Sequence, residues 1–259
     1  MKTMGWPVAS KLMQRWVDGA AWTVPDPVKL GKTNAATLPV AQVDETTVSM
    51  SWLLKFARAK AAQQLAVSRA LSPAAIVLLK QRLADAGWTS GAFTLGNTGM
   101  SARTLERACQ TNFAPVGALE DTIDEFYGAI GKASFKVAVV GSVAPAAKNQ
   151  HVFNVSNVGV YLRDTYDFTD TGFISQPLGI WSKKRCLTKA EMGLYAADQT
   201  ARLTNPLLKL LPALYPGFEA VYNSDFDDWR TANSKGGDFV IYSDVQWLAP
   251  TVAQAQVPL

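Results

Sequence analysis

The apolar pattern of this chain changes period near residue 133, and that change limits the fold more than any other feature. Before it, apolar residues recur at helical spacing: Leu12, Met13, Trp16 and Ala20 within 8–22, and Met50, Leu53, Leu54, Ala57, Ala61 and Leu65 within 48–71. After it, SFKVAVVGSV (134–143) and VFNVSNVGVYLRD (152–164) are rich in Val and aromatics and read as strands. Helices first and strands later predict an α+β fold, an N-terminal helical region followed by a mainly antiparallel sheet with one or two helices.

Local signals fill in the order of elements. Ser72-Pro73 supplies an N-cap and a first-turn proline for a helix to about Ala86, with Gly87 just past its end. Ser101 caps a short helix through Cys109, and a further helix is expected over 117–130. In the second strand, Phe153 and Val155 share a face with Val158, Val160 and Leu162 only if a bulge near Asn157 and Gly159 shifts the register. Asp170-Thr171-Gly172 is an expected turn and 178–182 a short strand. Thr188 and Glu191 fit a capping box for a helix to about Leu203. The Leu-rich, three-proline stretch 205–216 reads as buried connective structure. Ser224 or Asp225 can cap a helix through Asn233, Gly236-Gly237 stops it, and 238–248 reads as a last strand.

Three regions follow: a helix with an extended arm (1–47), a helical region (48–132) and a β-rich region (133–259) that could be continuous with the second. The arm is marked by Pro25, Pro27, Gly31 and Pro39. A hydrophobic content of 48% against 18% charged residues suits a packed core.

Charge is uneven. Residues 1–90 hold eleven Lys and Arg against five Asp and Glu, so the first third either presents a solvated helix face or meets an anionic partner. These cations do not interleave with aromatics as a single-strand groove needs, so no nucleic-acid partner is expected. Two Cys and one His fall short of a zinc set, and Cys109 reads as a buried thiol. His151, the one histidine, reads as a solvent-facing residue of the turn after Lys148-Asn149-Gln150. The first residues carry no apolar signal segment, so synthesis in the cytoplasm is expected, with any export to a target cell's periplasm using another route.

Arg163-Asp164-Thr165-Tyr166-Asp167-Phe168 is the stretch with chemical potential. Alternation puts Asp164 and Tyr166 on one face and Asp167 on the other, unless a twist or bulge brings the carboxylates together. Two carboxylates beside a phenol could bind Mg²⁺ or serve as an acid/base pair. The competing reading is a strand end whose Asp side chains satisfy turn N–H groups. Arg230 could pair with these acids or hold an anion.

In order, VGVYLRDTYDF, QPLGIW, FDDWR and GGDFVIYSDVQWL resemble a bacterial family of unknown function associated with type VI secretion effector loci, over about residues 134–250. Asp164, Tyr166 and Asp167 alone are similar to the D-x-Y-D motif of colicin M-like toxins. That resemblance implies a half-open sheet and a metal-dependent phosphodiesterase acting on lipid-linked peptidoglycan precursor. It makes Asp164 and Asp167 the metal- or water-activating groups, Tyr166 the orienting group and Arg230 the phosphate holder. Where that motif continues with a basic pair, this chain has Gly172-Phe173-Ile174-Ser175, so Arg230 or Arg185 would have to supply the cation. The expected function is a secreted antibacterial effector meeting a lipid-linked substrate at a membrane surface and a cognate immunity protein. The alternative is a non-enzymatic adaptor or cargo-binding component of the same system, contacting it through the arm 23–47 and the basic helices 48–86.

Overall fold

A computed structural model describes residues 1–33, 35–147, 150–169 and 177–259. The expected turn at Asp170-Thr171-Gly172, the 172–175 stretch and the Lys148-Asn149 pair lie outside the described residues. The helices are α1 (Pro7–Asp18), α2 (Asp26–Lys29), α3 (Met50–Leu53), α4 (Ala57–Ser68), α5 (Pro73–Asp85), α6 (Ala102–Ala108), α7 (Glu125–Ala129), α8 (Lys189–Thr204) and α9 (Asn223–Asn233). The strands are β1 (Val43–Asp44), β2 (Phe93–Leu95), β3 (Gln110–Val116), β4 (Ala133–Pro145), β5 (His151–Tyr166), β6 (Gly179–Trp181), β7 (Glu219–Val221), β8 (Phe239–Tyr242), β9 (Gln246–Leu248) and β10 (Gln256–Pro258). The fold is α+β with a half-open, mainly antiparallel sheet.

The chain divides into two units, each assembled from three segments. Unit 2 (Val24–Gly117, Lys132–Thr165 and Phe239–Leu259) holds the large sheet. Its spine is the antiparallel pair β4–β5, with β2 and β3 on β4 and with β8, β9 and β10 on β5. β1 joins β8 in parallel. The seven residues from Val158 to Asp164 are all buried, so strict alternation fails because both faces of the spine are covered. α4 and α5 lie against β3, and the fully buried Leu79 and Leu83 of α5 each contribute about 1.5–3 kcal/mol of apolar burial.

The register shift is present. Val140 faces Asn157 while Gly141 faces Val155, which leaves Ser156 as the extra residue, just before the position the pattern suggested. Gly141 is required there: a Cβ would sit 2.1 Å from the Asn154 carbonyl oxygen.

Several helix boundaries follow their caps. The Ser72 hydroxyl accepts from Ala75 N–H, Ser101 from Thr104 N–H, and the Thr188–Glu191 capping box is formed. Others differ from the pattern. The helix expected over 48–71 breaks into α3 and α4 around Leu54–Phe56. The one expected over 117–130 shrinks to α7, because Gly117 takes a φ of 87° and Asp124 caps Tyr127 N–H and starts the helix late. Just before it, β3 takes residues the pattern left unassigned. The final strand is split into β8 and β9.

Unit 1 (Met1–Thr23, Ala118–Gly131 and Tyr166–Asp238) packs α1 against α7 and carries the β6–β7 pair, α8 and α9. Its centre is aromatic. Trp16 is fully buried, with Phe168, Phe226 and Trp229 at centroid distances of 5.0, 5.4 and 5.6 Å, and Phe168 stacks on Phe226 at 3.7 Å. Gly236, at φ 93°, runs so close that a Cβ would meet the Trp16 ring at 2.6 Å.

Candidate functional site

The residues expected to carry chemistry are divided between the units. Asp164 is buried near the end of β5 in unit 2. Tyr166, Asp167 and Arg230 belong to unit 1. Tyr166 is buried with its ring edge-on to Phe168 at 5.4 Å, and Asp167 is half-buried in the following loop.

Arg230 is committed to internal bonds. Its Nε donates to the Gly236 carbonyl at 2.8 Å, and Nη1 donates to Thr23 Oγ1 at 2.8 Å and to Asp227 at 3.0 Å. Nη2 donates to the buried Asp238, and the guanidinium lies 5.3 Å from the Trp16 ring centroid. Asp238 also accepts from Trp16 Nε1–H at 2.9 Å. The acids that Arg230 pairs with are therefore Asp227 and Asp238. Unit 1 thus brings Tyr166 and Arg230 to the border of one aromatic core. Among the described residues, no three His, Cys, Asp or Glu side chains converge to hold a metal ion.

His151 is not a free turn residue. Its Nε2 accepts from Gly91 N–H at 3.1 Å, and its ring meets Trp88 edge-on at 5.4 Å. The basic run Lys183-Lys184-Arg185 is exposed, with Arg185 forked onto Glu191 at 2.7 and 2.8 Å. An apolar cavity of about 390 Å³ in unit 1 is lined by Met4, Met13, Val17, Trp181 and Cys186 among others. Cys186 and Cys109 are both free thiols, raised above the ordinary range by burial, Cys109 to about 11. Iodoacetamide at about pH 8 should therefore leave Cys109 unlabelled in the native protein and label it after denaturation, as read by peptide mass mapping. Native labelling of Cys109 would contradict the packing around it.

The polar constellation of unit 2 was not expected from the sequence. Arg163, buried on β5, places Nε 3.0 Å from Glu106 Oε1 of α6 and donates through Nη2 to the Val28 carbonyl. The Tyr242 hydroxyl donates to the other Glu106 oxygen. Burial, then the Glu106 charge, raise the Tyr242 hydroxyl well above the phenol range and keep it a donor. Tyr161 lies beside it at 6.4 Å between centroids, its buried hydroxyl without a hydrogen-bond partner among the described residues and pushed up by the same causes.

Of this network, Glu106 lines a cleft of about 250 Å³. The other walls bring Lys32 from the arm, Arg82 from α5, Arg107 from α6 and Lys136 from β4. Arg82 donates to the Gln110 carbonyl at 3.3 Å and lies 3.8 Å from Asp85. Arg107 is exposed and its side chain has no partner among the described residues. Lys136 sits 5.0 Å over the Phe113 ring; burial pushes its ammonium below the ordinary lysine range, against the pull of Glu106. A second cleft of about 340 Å³ shares Arg82 and Arg107. Four cations thus face one carboxylate that already pairs with Arg163 and Tyr242. The surplus is positive, so the site suits an anionic group. One signal was available in the sequence: Lys136 is the lone charge within a strand otherwise made of apolar and small residues.

A profile of a family of unknown function, DUF6402, matches residues 1–256. The chain belongs to that family. The match takes in the N-terminal helical part of this DUF6402 protein, outside the 134–250 stretch that carries the resemblance. No curated protein and no solved structure matches it.

Proposed function

We propose that this DUF6402 protein acts by binding, as an adaptor or cargo-binding component of a type VI secretion system, and holds an anionic group of its partner in the unit 2 cleft. The observation that carries this reading is the set Lys32, Arg82, Arg107 and Lys136 around one cleft whose one lining carboxylate among the described residues is already paired. The cleft joins the arm to the basic helical region, the two segments expected to make contact. The likeness of VGVYLRDTYDF and the segments after it to proteins of type VI effector loci supports the setting.

The test is calorimetric titration of the full chain with pyrophosphate and, separately, with a hexaglutamate peptide. Arg107→Ala with Lys136→Met should weaken binding roughly tenfold or more, with an unchanged melting temperature for Arg107→Ala alone. Binding needs the charged Lys136, whose pKa is depressed. Affinity should therefore fall as pH rises, beginning below the ordinary lysine pKa of about 10.4. No heat with either probe, or equal affinity for wild type and double variant, would remove the cleft as the site.

The effector reading rests on a different observation: Asp164 and Asp167 lie at and just past the end of β5. It would make the protein a colicin M-like hydrolase, with Asp164 and Asp167 as its candidate carboxylates. Expression in the periplasm separates the two readings. The binding reading expects unaffected growth. Lysis that is lost in folded Asp164→Ala and Asp167→Ala variants would establish the hydrolase instead.

A further inference from the structure

The leucine-rich stretch after α8, expected to be buried, stands out of the protein. Leu203 is 78% exposed, Leu207 71%, Leu210 82%, Leu211 59% and Leu214 54%. Apolar exposure so concentrated marks a contact surface. Such high values also mean that the side chains project, rather than line a groove.

One arginine holds this stretch in shape. Arg202, near the end of α8, pairs with Asp198 at 2.8 Å and donates to the carbonyls of Leu208 (2.7 Å), Leu211 (2.9 Å) and Pro212 (2.6 Å). Asp198 accepts from Leu214 N–H at 3.3 Å, and the Asn205 side chain accepts from Leu207 N–H at 3.1 Å. The N–H groups of Leu208 and Leu211 bond to Asn205 and Leu208 carbonyls within the turn. Pro206, Pro212 and Pro216 have no N–H to satisfy. The loop therefore answers much of its own backbone hydrogen bonding while turning its leucines outward.

That combination discriminates between partners. A protein can supply hydrogen bonds to a docking loop, whereas hydrocarbon supplies none, so a loop entering lipid must satisfy its backbone internally. Between Arg202 and Glu219 the sole charged side chain is Lys209, set among the leucines, where its stem can run along the apolar surface and its ammonium reach a phosphate. No acid in that interval repels an anionic headgroup. Tyr215 follows, a residue type suited to the headgroup layer. We infer that residues 203–214 form a preformed leucine loop that inserts into the surface of an anionic lipid bilayer. A loop of this length is too short to span a bilayer, so it attaches to one face.

The experiment floats the full-length protein with vesicles of phosphatidylethanolamine and phosphatidylglycerol. Wild type should rise with the vesicles. Leu207→Ser with Leu210→Ser should lower partitioning roughly thirtyfold, with unchanged circular dichroism and melting. Lys209→Glu should weaken binding to these vesicles and leave binding to pure phosphatidylcholine unaltered. The cleft is read separately by its calorimetric titration, and loss of flotation in Arg107→Ala with the leucines intact would assign vesicle binding to the cleft and overturn the inference. Wild type remaining with free protein, or the leucine variant floating like wild type, overturns the inference. Leucine-dependent self-association or retention of a host protein, without vesicle binding, would assign the loop to a protein partner and equally overturn it.

Discussion

Replacing Glu106 by alanine is expected to lower stability by about 3–5 kcal/mol, because it leaves the buried Arg163 without its carboxylate. The guanidinium would keep only the Val28 carbonyl among the bonds described above, and Tyr242 would lose the acceptor of its hydroxyl. The nearby Lys136 ammonium, already disfavoured by burial, would lose the charge that favours it. Urea denaturation followed by circular dichroism measures the effect. The informative control is Glu106→Met with Arg163→Met, which removes both charges and fills the space. That variant should be more stable than Glu106→Ala, since the penalty comes from the stranded cation. A loss below about 1 kcal/mol for Glu106→Ala would mean that water reaches Arg163 and that the network is a surface feature.

The second large effect is expected at Asp238, whose side chain is fully buried in unit 1. Asp238→Ala removes the acceptor of Trp16 Nε1–H and the partner of Arg230 Nη2 together. An unsatisfied buried indole N–H costs about 1–3 kcal/mol, and Arg230, though it keeps Asp227, Thr23 and the Gly236 carbonyl, loses its buried charged partner, so a total of about 3–4 kcal/mol is expected. Asp238→Asn keeps a neutral oxygen for Trp16 and should lose about half as much. Denaturation read by tryptophan fluorescence reports this directly, because the affected ring is a fluorophore. If Asp238→Ala unfolds at the wild-type midpoint, the Arg230 bonds described here do not hold unit 1 together, and Arg230 regains its candidacy as an anion holder.

The sequence made some of this legible, for physical reasons. Caps are local, so Ser72, Ser101 and the Thr188–Glu191 box could be found without knowing the fold. The β4–β5 spine was legible because Val-rich runs of that length have few other uses. β3 was not: it opens on three polar residues, Gln110-Thr111-Asn112, and contains Pro115, tolerated because β3 pairs with β4 alone among the described strands. For the leucines of 205–216, apolar character alone does not decide burial, because apolar residues are also common at surfaces. At the candidate site, the charged residues of the DTYDF stretch could be singled out but their partners could not. The acids that hold Arg230 lie three residues before it and eight after, and the aromatic face it covers belongs to Trp16. The cleft draws on the arm, α5, α6, β3 and β4, and no spacing along one segment encodes such a convergence.

The interleaving of the two units has a consequence for the birth of the protein. Trp16 bonds to a residue 222 positions later, and unit 1 is complete only once the segment Tyr166–Asp238 exists. During synthesis, α1 emerges long before most of its native surroundings. Its apolar stripe must wait, held by chaperones or by transient contacts, while the middle of the chain is made. Closing so long a loop makes assembly of unit 1 a slow, late event. Ribosome-arrested chains ending short of Asp238 should therefore leave Trp16 accessible to quenchers, and protection should arrive abruptly, not segment by segment.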